Sequence, residues 1–483
     1  SWRPAPITAG ELTGPWLVIH DGSLSTVVDC LRGDGARAVS VTGPDAPAAH
    51  ADDLRTGPQT DWRMLIDRLT DDTLRPACVV YGYTADPAAR TDAFFDLLHL
   101  LQAVSEAWSG TGIVIRVVTV AAQAVTGEET VDPLGALAQG ATVVANETPG
   151  MTAGTLDLAR WPETRADAAR VARELRQENP ETRVAIRRRG RWTLEFAPFP
   201  VAEIADGAPA PIRPGGTYLV TGGTGAIGIE ILRHIASTPG TRVALMSRGG
   251  PAAMGFEDAR LQVPIEGRSM PSRLRAALER ASENGVEVVA VAGDVSVPSS
   301  LATALATVRS AFGTIDGVFH AAGVAGGQLA VLRADDSAAR VLRPKVDGTI
   351  ALHEALHGEA SFLMLFSSII AITSDIGMVD YCAANSFLDA FAARHSDDRT
   401  RVVSVNWCGW SEVGMVIAER SVASDQLRDA EMGITSVPSR HPLLDRQITS
   451  AALPTYTALV PPRTDDYRDD HRMTGERAIS GTM

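Results

Sequence analysis

The chain has 483 residues, of which 45% are hydrophobic, and this length predicts two or three domains with sizeable cores. The formal net charge of −14 argues against binding to nucleic acid or to an anionic membrane surface. No signal peptide or apolar run of spanning length is seen, and the four cysteines lie far apart without metal-ligand spacing, which predicts a reducing, cytoplasmic location and no metal.

Residues 1–205 alternate between short apolar segments and amphipathic segments, which is typical of an α/β region. Strands are predicted at residues 16–20, 38–41, 77–81, 113–120 and 184–186, and helices at residues 24–31, 91–108 and 165–178. The cluster of Arg187, Arg188, Arg189 and Arg191 is interpreted as the solvated turn of a hairpin rather than as a nucleic-acid patch.

Residues 14–42 and 215–247 have a similar layout, since both run strand, turn, helix and strand. The first copy has a sequence beginning His20-Asp21-Gly22 where the second has a glycine-rich turn. It therefore lacks glycines that would let a ligand approach the backbone closely. We interpret the first region as a truncated, degenerate Rossmann-like copy that supports the second.

Residues 198–214 contain five prolines and several small residues, and they are predicted to link the first region to a second one over 206–440. The second region opens with a predicted strand at 218–221, a turn, a helix at 226–237 and a strand at 242–246. The turn consists of Gly222, Gly223, Thr224 and Gly225. A glycine-rich turn between a strand and a helix suits a dinucleotide, because backbone N–H groups and the helix N-terminus favour its phosphates.

Ser247 and Arg248 follow the second strand of this unit, where dinucleotide folds meet the adenosine ribose. An acidic residue there would accept the ribose 2′-hydroxyl. A hydroxyl and a guanidinium instead suit a 2′-phosphate, so the sequence predicts NADPH.

The alternation continues through the second region, which is predicted to form a complete doubly wound parallel sheet. Residues 249–271 are interpreted as an inserted loop. Further strands are predicted at 286–292, 317–320, 362–366, 402–406 and 456–460, and helices at 274–283, 299–312, 334–357 and 379–395.

Four polar residues are expected near the carboxyl edge of this sheet: Ser368, Tyr381, Lys345 and Asn385. Reduction of a ketone places negative charge on oxygen, which needs a hydrogen-bond donor and then a proton. Ser368 can hold the oxygen and Tyr381 can protonate it, provided that the Lys345 ammonium lowers the tyrosine pKa. Asn385, one helical turn after Tyr381, can anchor a water molecule for proton relay. Each residue alone has a plainer structural explanation, so the prediction depends on their combination.

Residues 214 to about 416 resemble an extended short-chain dehydrogenase/reductase, specifically a ketoreductase domain of a type I polyketide synthase. The first region, from residue 2 to about 196, resembles the structural subdomain of that family. The motifs that carry the resemblance are at residues 221–228, 247–248, 293–295, 320–324, 345–348, 366–368, 381–389 and 406–410.

The resemblance implies NADPH-dependent reduction of a β-ketoacyl thioester presented by an acyl carrier protein, with Tyr381 as the general acid. It also implies that Lys345 and Asn385 occupy exchanged positions typical of the family, that Asp294 and Val295 contact adenine, and that residues 411–433 form a lid. The remaining implied cofactor contacts are Thr221, Gly222, Gly223, Thr224, Gly225, Ile227, Ser247, Arg248, Ala321, Ala322 and Gly323.

Two positions depart from the family pattern. Ala325, Gly326 and Gly327 stand where one stereochemical class carries Leu-Asp-Asp, and Thr373 stands where the other often carries tryptophan. The sequence therefore leaves the configuration of the product open.

Residues 441–483 resemble the opening of a double-hotdog dehydratase domain, with His471 in the place of its catalytic histidine and Ser480 in place of a proline. We expect His471 to be without function in this tail, and the chain to be part of a longer synthase with a dehydratase on its C-terminal side. That domain order resembles the iterative synthases of the enediyne polyene type, which is a hypothesis here.

Two other functions remain as alternatives. The chain could be a non-catalytic scaffold that docks its neighbours, against which the intact Ser368, Tyr381 and Lys345 argue. It could also be a stand-alone reductase of small ketones, against which the paired structural region and the dehydratase-like tail argue.

Overall fold

The computed structural model describes residues 2–7, 12–43, 53–55, 61–71, 75–177, 181–188, 190–195, 211–257, 259–261 and 271–410, with short strands beyond them. The residues up to Cys408 form one compact unit, and those from Gly409 onward form another. Among the described residues, no helix has both the length and the apolar composition needed to cross a bilayer.

The N-terminal half is built on one mixed sheet whose described strands lie in the order β1-β9-β8-β7-β6-β5-β2-β3-β4. Pairing is parallel except where β9 meets β1 and β8. The strands are β1 Trp2–Pro4, β2 Trp16–His20, β3 Ala38–Thr42, β4 Leu54–Arg55, β5 Cys78–Gly82, β6 Ile113–Val120, β7 Met151–Leu158, β8 Arg183–Arg187 and β9 Gly190–Leu194.

The helices of this half are α1 Ser25–Gly33, α2 Trp62–Asp71, α3 Asp92–Trp108, α4 Val144–Glu147 and α5 Arg165–Leu175, and a 3₁₀ helix at Leu134–Val143 runs directly into α4. The alternation predicted from sequence is confirmed, but the prediction missed β7. The sequence of this strand is not typical of a buried strand, because it contains Gly154 and Asp157. Asp157 is nonetheless buried, and its charge is matched by an arginine from β8.

The hairpin predicted around the arginine cluster is present, but the prediction that its arginines are solvated is wrong for Arg187 and Arg191. Arg187 is buried and forms ion pairs with Glu129 at 2.8 Å and Asp157 at 2.5 Å. Arg191 pairs with the buried Glu174 at 2.8 Å. A charged residue can be buried when its partner is buried beside it, and that partner is distant in sequence.

The C-terminal half of the compact unit contains a parallel sheet in the order β12-β11-β10-β13-β14-β15, the order of dinucleotide-binding folds. Its strands are β10 Thr217–Thr221, β11 Arg242–Ser247, β12 Glu287–Ala292, β13 Gly317–His320, β14 Phe362–Ser368 and β15 Arg401–Trp407. Its helices are α6 Ala226–Ile235, α7 Ser272–Glu283, α8 Pro298–Phe312, α9 Asp335–Leu356, α10 Ile370–Thr373 and α11 Val379–His395, with 3₁₀ turns at Gly250–Met254 and Ala330–Leu332.

The predicted α/β class with two Rossmann-like sheets is confirmed, whereas the prediction that residues 456–460 add a strand to the parallel sheet is wrong. The strand there, Pro454–Thr457 (β18), pairs antiparallel with Arg446–Thr449 (β17), which also pairs with Thr435–Pro438 (β16). Arg472–Met473 (β19) and Glu476–Arg477 (β20) form a further short pair. Most of the predicted linker at 198–214 lies outside the described residues, and the predicted loop after β11 contains the first 3₁₀ turn and a bridge from Arg260 to Val289.

The two halves of the compact unit share one hydrophobic cluster, which includes Leu97 and Leu137 from the first half and Leu342 and Phe387 from the second. Gly140 in the 3₁₀ helix lies at a close contact between them. A Cβ at this position would lie 2.5 Å from the carbonyl oxygen of Val379 and 3.2 Å from the Cβ of Ala383, both in α11. The absence of a side chain therefore lets the 3₁₀ helix lie directly on α11.

We expect Gly140→Ala to destabilise the protein by about 1–3 kcal/mol, because the added methyl group overpacks this contact. Gly43→Ala is the matched control, since its added Cβ would meet no described atom within 4 Å. Chemical denaturation of both variants measures the difference. Equal free energies of unfolding would contradict the close-packing interpretation.

Candidate active site

The glycine-rich turn between β10 and α6 is packed so tightly that side chains are excluded from it. Gly222 has a φ of +68°, which favours glycine, and a Cβ there would lie 2.8 Å from the carbonyl oxygen of Ala321. A Cβ on Gly223 would lie 2.7 Å from that of Leu245, and one on Gly228 would lie 2.5 Å from the oxygen of Gly222. The helix α6 thus begins immediately above a bare backbone turn, which is a suitable cradle for a phosphate.

The other predicted residues of this turn are accessible. Gly225 is exposed and precedes the first residue of α6, while Thr224 and Ile227 are half-buried. Thr221 is different, because its side chain is buried at the end of β10. Its hydroxyl accepts a hydrogen bond from the N–H of Ala322 at 3.3 Å and donates one to Nδ1 of His320 at 2.7 Å.

The predicted ribose contacts lie at the end of β11. The hydroxyl oxygen of Ser247 is buried and has no hydrogen-bond partner among the described residues. Arg248 is exposed, and the described part of the chain offers it no ion-pair partner. An unpaired hydroxyl beside a free guanidinium is a pair of donors that suits an anionic group such as a 2′-phosphate.

The predicted adenine contacts follow β12. One carboxylate oxygen of Asp294 accepts hydrogen bonds from the N–H and the hydroxyl of Ser296, at 2.9 and 2.6 Å. Val295 is buried, and a Cβ on Gly348 in α9 would lie 2.8 Å from its side chain. The Val295 side chain thus packs against α9.

Residues 321–323 directly follow β13. This segment lies between the glycine-rich turn and Lys345 and contacts both. The Ala321 N–H donates to the carbonyl oxygen of Thr221 at 3.2 Å. A Cβ on Gly323 would lie 3.2 Å from Cε of Lys345, so this segment also passes close to the lysine.

Lys345 is buried on α9, and its ammonium donates a hydrogen bond to the carbonyl oxygen of Phe366 at 2.8 Å. Burial lowers its pKa to about 8, although the charge of Asp389 opposes this shift. The ammonium nitrogen lies 5.6 Å from the ring centroid of Tyr381, over the ring. Lys345 and Tyr381, which the sequence analysis predicts to act together, are therefore neighbours in the structure.

Tyr381 lies in the first turn of α11, beside the end of β14. Burial raises the pKa of Tyr381, while the side chains of Ser368 and Asn385 act in the opposite direction by hydrogen bonding. The expected lowering of this pKa by Lys345 is thus not found, because desolvation of the phenol dominates. A phenol with a raised pKa holds its proton at neutral pH, as a general acid must.

Asn385 is fully buried one turn after Tyr381. Its amide nitrogen donates to the carbonyl oxygen of Tyr381 at 2.7 Å, and its amide oxygen has no hydrogen-bond partner among the described residues. A buried acceptor without a protein donor is a suitable anchor for a water molecule. The structure thus brings all four predicted residues together at one edge of the sheet.

Sequence reasoning missed two carboxylates on α11, those of the buried Asp380 and the half-buried Asp389. Asp380 accepts a hydrogen bond from Nε of the buried Arg333 at 2.6 Å and one from the N–H of Tyr381 at 2.8 Å. Asp389 accepts from the Asn406 amide nitrogen at 2.8 Å, and that nitrogen also lies within 3.2 Å of the Ser368 carbonyl oxygen. The sequence signal that could have indicated these carboxylates is the presence of aspartates on a helix with many apolar residues. Their hydrogen-bond partners could not be identified from the sequence.

Three expectations lie outside the described residues, namely the lid at 411–433, His471 and Ser480. Within the described residues, no cluster of histidine, cysteine, aspartate or glutamate is arranged to hold a metal ion.

Comparison with known proteins gives one family and a consistent set of relatives. Residues 216–412 match the model of the KR domain family. Erythronolide synthase EryA3 of Saccharopolyspora erythraea is 30% identical over 402 residues, which cover 78% of this chain but 12% of that protein. This chain therefore spans only a small part of its curated relative.

Solved structures with a similar fold include a ketoreductase and a larger assembly. The first ketoreductase of the tylosin PKS is 26% identical with a TM-score of 0.67, and the match covers 90% of this chain and 88% of that one. The adenylation, ketoreductase and pseudo Asub structure of a keto acid-selecting NRPS module reaches a TM-score of 0.72. At 21% identity, with 89% of this chain and 36% of that one covered, this second match shows likeness of fold alone.

His320 makes a pH-dependent contribution to stability that can be measured. Its Nε2 donates to the carbonyl oxygen of Pro344 at 3.0 Å, and burial together with the Lys345 charge lowers its pKa to about 3. Because the unfolded chain binds the proton near pH 6.5, stability falls as the pH drops below that value toward 3. Between pH 7 and pH 5 this residue alone lowers the free energy of unfolding by about 2 kcal/mol.

Urea denaturation at the two pH values tests this expectation. His320→Gln keeps a donor and an acceptor but cannot titrate, so the loss between pH 7 and pH 5 is smaller in the variant by about 2 kcal/mol. The comparison with the variant removes the contributions of other histidines. An identical pH dependence in both proteins would show that His320 is not held neutral.

Proposed function

Because residues 216–412 belong to the KR domain family, the ketoreductases of polyketide synthases, we propose that this chain reduces the β-keto group of an acyl thioester with NADPH. The observation that carries the proposal is the convergence of Ser368, Tyr381, Lys345 and Asn385 at the carboxyl edge of the same sheet that carries the glycine-rich turn. In parallel sheets of this order, ligands bind outside the carboxyl ends of the strands, where these residues lie.

The residues present fit NADPH, which supplies a hydride when bound. Gly222, Gly223 and Gly228 let the backbone of this turn pack where any Cβ would collide with neighbouring protein atoms, which leaves the turn without side chains at these positions. Ser247 and Arg248 would hold the 2′-phosphate, since one offers an unpartnered hydroxyl and the other a free guanidinium. Thr221, the turn residues Thr224, Gly225 and Ile227, and residues 294–295 and 321–323 would complete the binding surface.

The roles of the chain's own residues follow from their chemistry. Ser368 donates a hydrogen bond to the substrate oxygen and Tyr381 gives it a proton as negative charge develops. The buried Lys345 ammonium, next to the ring, stabilises the phenolate that remains. Asn385 holds a water molecule through its unpartnered oxygen, and that water returns a proton to Tyr381.

The surroundings of the domain are part of the same proposal. The relatives are large synthases, of which this chain spans a small part, which supports neighbouring synthase domains around it. An acyl carrier protein as the donor of the substrate and a dehydratase as the C-terminal neighbour are proposed with them. We retain boundaries of 1–205, 206–440 and 441–483 for the structural, catalytic and dehydratase-like segments. The four unpaired cysteines support a cytoplasmic location.

Tyr381→Phe removes the proton donor, and we expect it to lower kcat for NADPH oxidation with a β-ketoacyl thioester by about 10²–10⁴-fold. Tyr83→Phe is the control, because that hydroxyl is buried in the N-terminal half without a hydrogen-bond partner among the described residues. Equal rates in wild type and Tyr381→Phe would refute the mechanism. No turnover by the wild type would favour a non-catalytic scaffold.

Arg248→Ala removes the guanidinium proposed to pair with the 2′-phosphate. We expect the affinity for NADPH to fall about 10–100-fold, as for the loss of a charge-assisted hydrogen bond, and the affinity for NADH to change little. Fluorescence titration of both cofactors measures this, with the exposed Arg63→Ala as a control for net charge. Comparable losses for the two cofactors would contradict the assignment.

A further inference from the structure

Glu147, the last residue of α4 in the N-terminal half, touches two loops of the catalytic half at once. One carboxylate oxygen accepts the N–H of Ala330 at 2.6 Å, and the other accepts the N–H of Gly377 at 2.7 Å. Both donor residues lie at least 183 positions away from Glu147 along the sequence. A single carboxylate thus joins the loop that follows β13 to the loop that precedes α11.

The two loops are also bonded to each other. The carbonyl oxygen of Gly377 accepts the N–H groups of Gly327 and Gln328, at 3.0 and 3.1 Å. Together with the contacts of Glu147, these bonds close a ring that runs from Glu147 through Gly377 to the loop after β13 and back. The ring contains backbone groups of both loops and one side chain, that of Glu147.

The ring lies against the proposed proton donor. A Cβ on Gly326 would lie 3.3 Å from the Cβ of Tyr381 and 3.0 Å from a carboxylate oxygen of Asp380. The loop after β13 therefore passes directly over the first turn of α11. Since Ala325, Gly326 and Gly327 have almost no side chain to pack, backbone contacts determine the course of this loop.

Neighbours of Glu147 fix the other ends of the same loops. Gln102 donates from its amide nitrogen to the carbonyl oxygens of Ala330 and Arg333, both at 2.9 Å. The hydroxyl of Thr142 bonds that of Ser374 at 2.5 Å, and Asn146 donates to the Ser374 carbonyl oxygen. Ser374 has a φ of +55°, a backbone conformation that needs such support in a residue other than glycine.

We propose that Glu147 is a positioning residue of the reductase, which sets the wall of the substrate cleft beside Tyr381 by holding these two loops together. The inference rests on the proposed function, because it concerns how the ketone carbonyl approaches Tyr381. Glu147 acts through the loop backbones and does not contact the reacting atoms. The wall therefore determines which face of the carbonyl is presented and how closely the phenol approaches it.

Glu147→Gln tests the proposal with little change of size. The amide keeps one acceptor oxygen, but its nitrogen carries hydrogens and would oppose one of the two N–H donors. Arg90→Ala is the matched control, because it removes a different contact between the halves, the 2.8 Å ion pair with Asp347, and leaves both loops untouched.

The first measurement is amide hydrogen exchange at Ala330 and Gly377. We expect exchange at the amide that loses its acceptor to be about tenfold faster in Glu147→Gln than in wild type or Arg90→Ala, as for the loss of a hydrogen bond to a charged group. This readout does not depend on turnover. Unchanged exchange at both amides overturns the inference, whatever the activity.

The second measurement is the ratio of the two alcohol configurations formed from a β-ketoacyl thioester, with kcat and the Kd for NADPH. We expect Glu147→Gln to reduce the ratio at least about fivefold and kcat about tenfold, with Kd within about twofold of wild type. The ratio is independent of the fraction of folded enzyme, so a merely destabilised protein would keep the wild-type value. An unchanged ratio and kcat therefore overturn the positioning role. If the wild type shows no turnover, the proposed function fails, and the exchange rates alone decide whether Glu147 holds the loops.

Discussion

The packing of the 3₁₀ helix Leu134–Val143 on α11 is the contact on which the rest of the catalytic arrangement depends. Gly140 brings the backbone of the N-terminal half against the first turn of the helix that carries Tyr381. The thiol of Cys382, one residue further along, reaches the carbonyl oxygen of Gln139 at 3.6 Å. Because this helix is buried between the two halves, the N-terminal sheet is a structural part of the site although it contains no glycine-rich turn.

Buried charge gives the site its rigidity. Lys345 and Asp380 are buried and Asp389 is half-buried. Each has defined partners: a carbonyl oxygen for Lys345, an arginine for Asp380, and an amide with a hydroxyl for Asp389. Breaking such a contact would leave an unpaired charge in a region of low dielectric constant, which costs several kcal/mol. The partners therefore hold the reactive groups in place before any substrate arrives, and this preorganisation is the usual source of electrostatic catalysis.

The two halves of the compact unit contribute differently to the site. The parallel sheet places the predicted cofactor residues at the carboxyl ends of β10 to β13, and the proposed proton donor Tyr381 lies on α11 beside the end of β14. The N-terminal half then fixes the loops that emerge beside Tyr381. The proposed substrate cleft needs such support, because it is formed by loops rather than by the rigid sheet.

The sequence by itself determined the α/β class, the position of the glycine-rich turn and the grouping of Tyr381 with three other polar residues. These features are local, because a strand, a turn and a helix are set by neighbouring residues, and the order of the strands brings their ends to one edge. Only the tertiary structure decided which charges are buried, how the pKa of Tyr381 shifts, and that Glu147 joins the loops at Ala330 and Gly377. Those properties depend on partners far apart in the chain, such as Arg187 with Asp157 or Asp380 with Arg333, and a single sequence carries no record of such pairings. The physical reason is that desolvation and hydrogen bonding act on groups brought together by folding, whatever their separation along the chain.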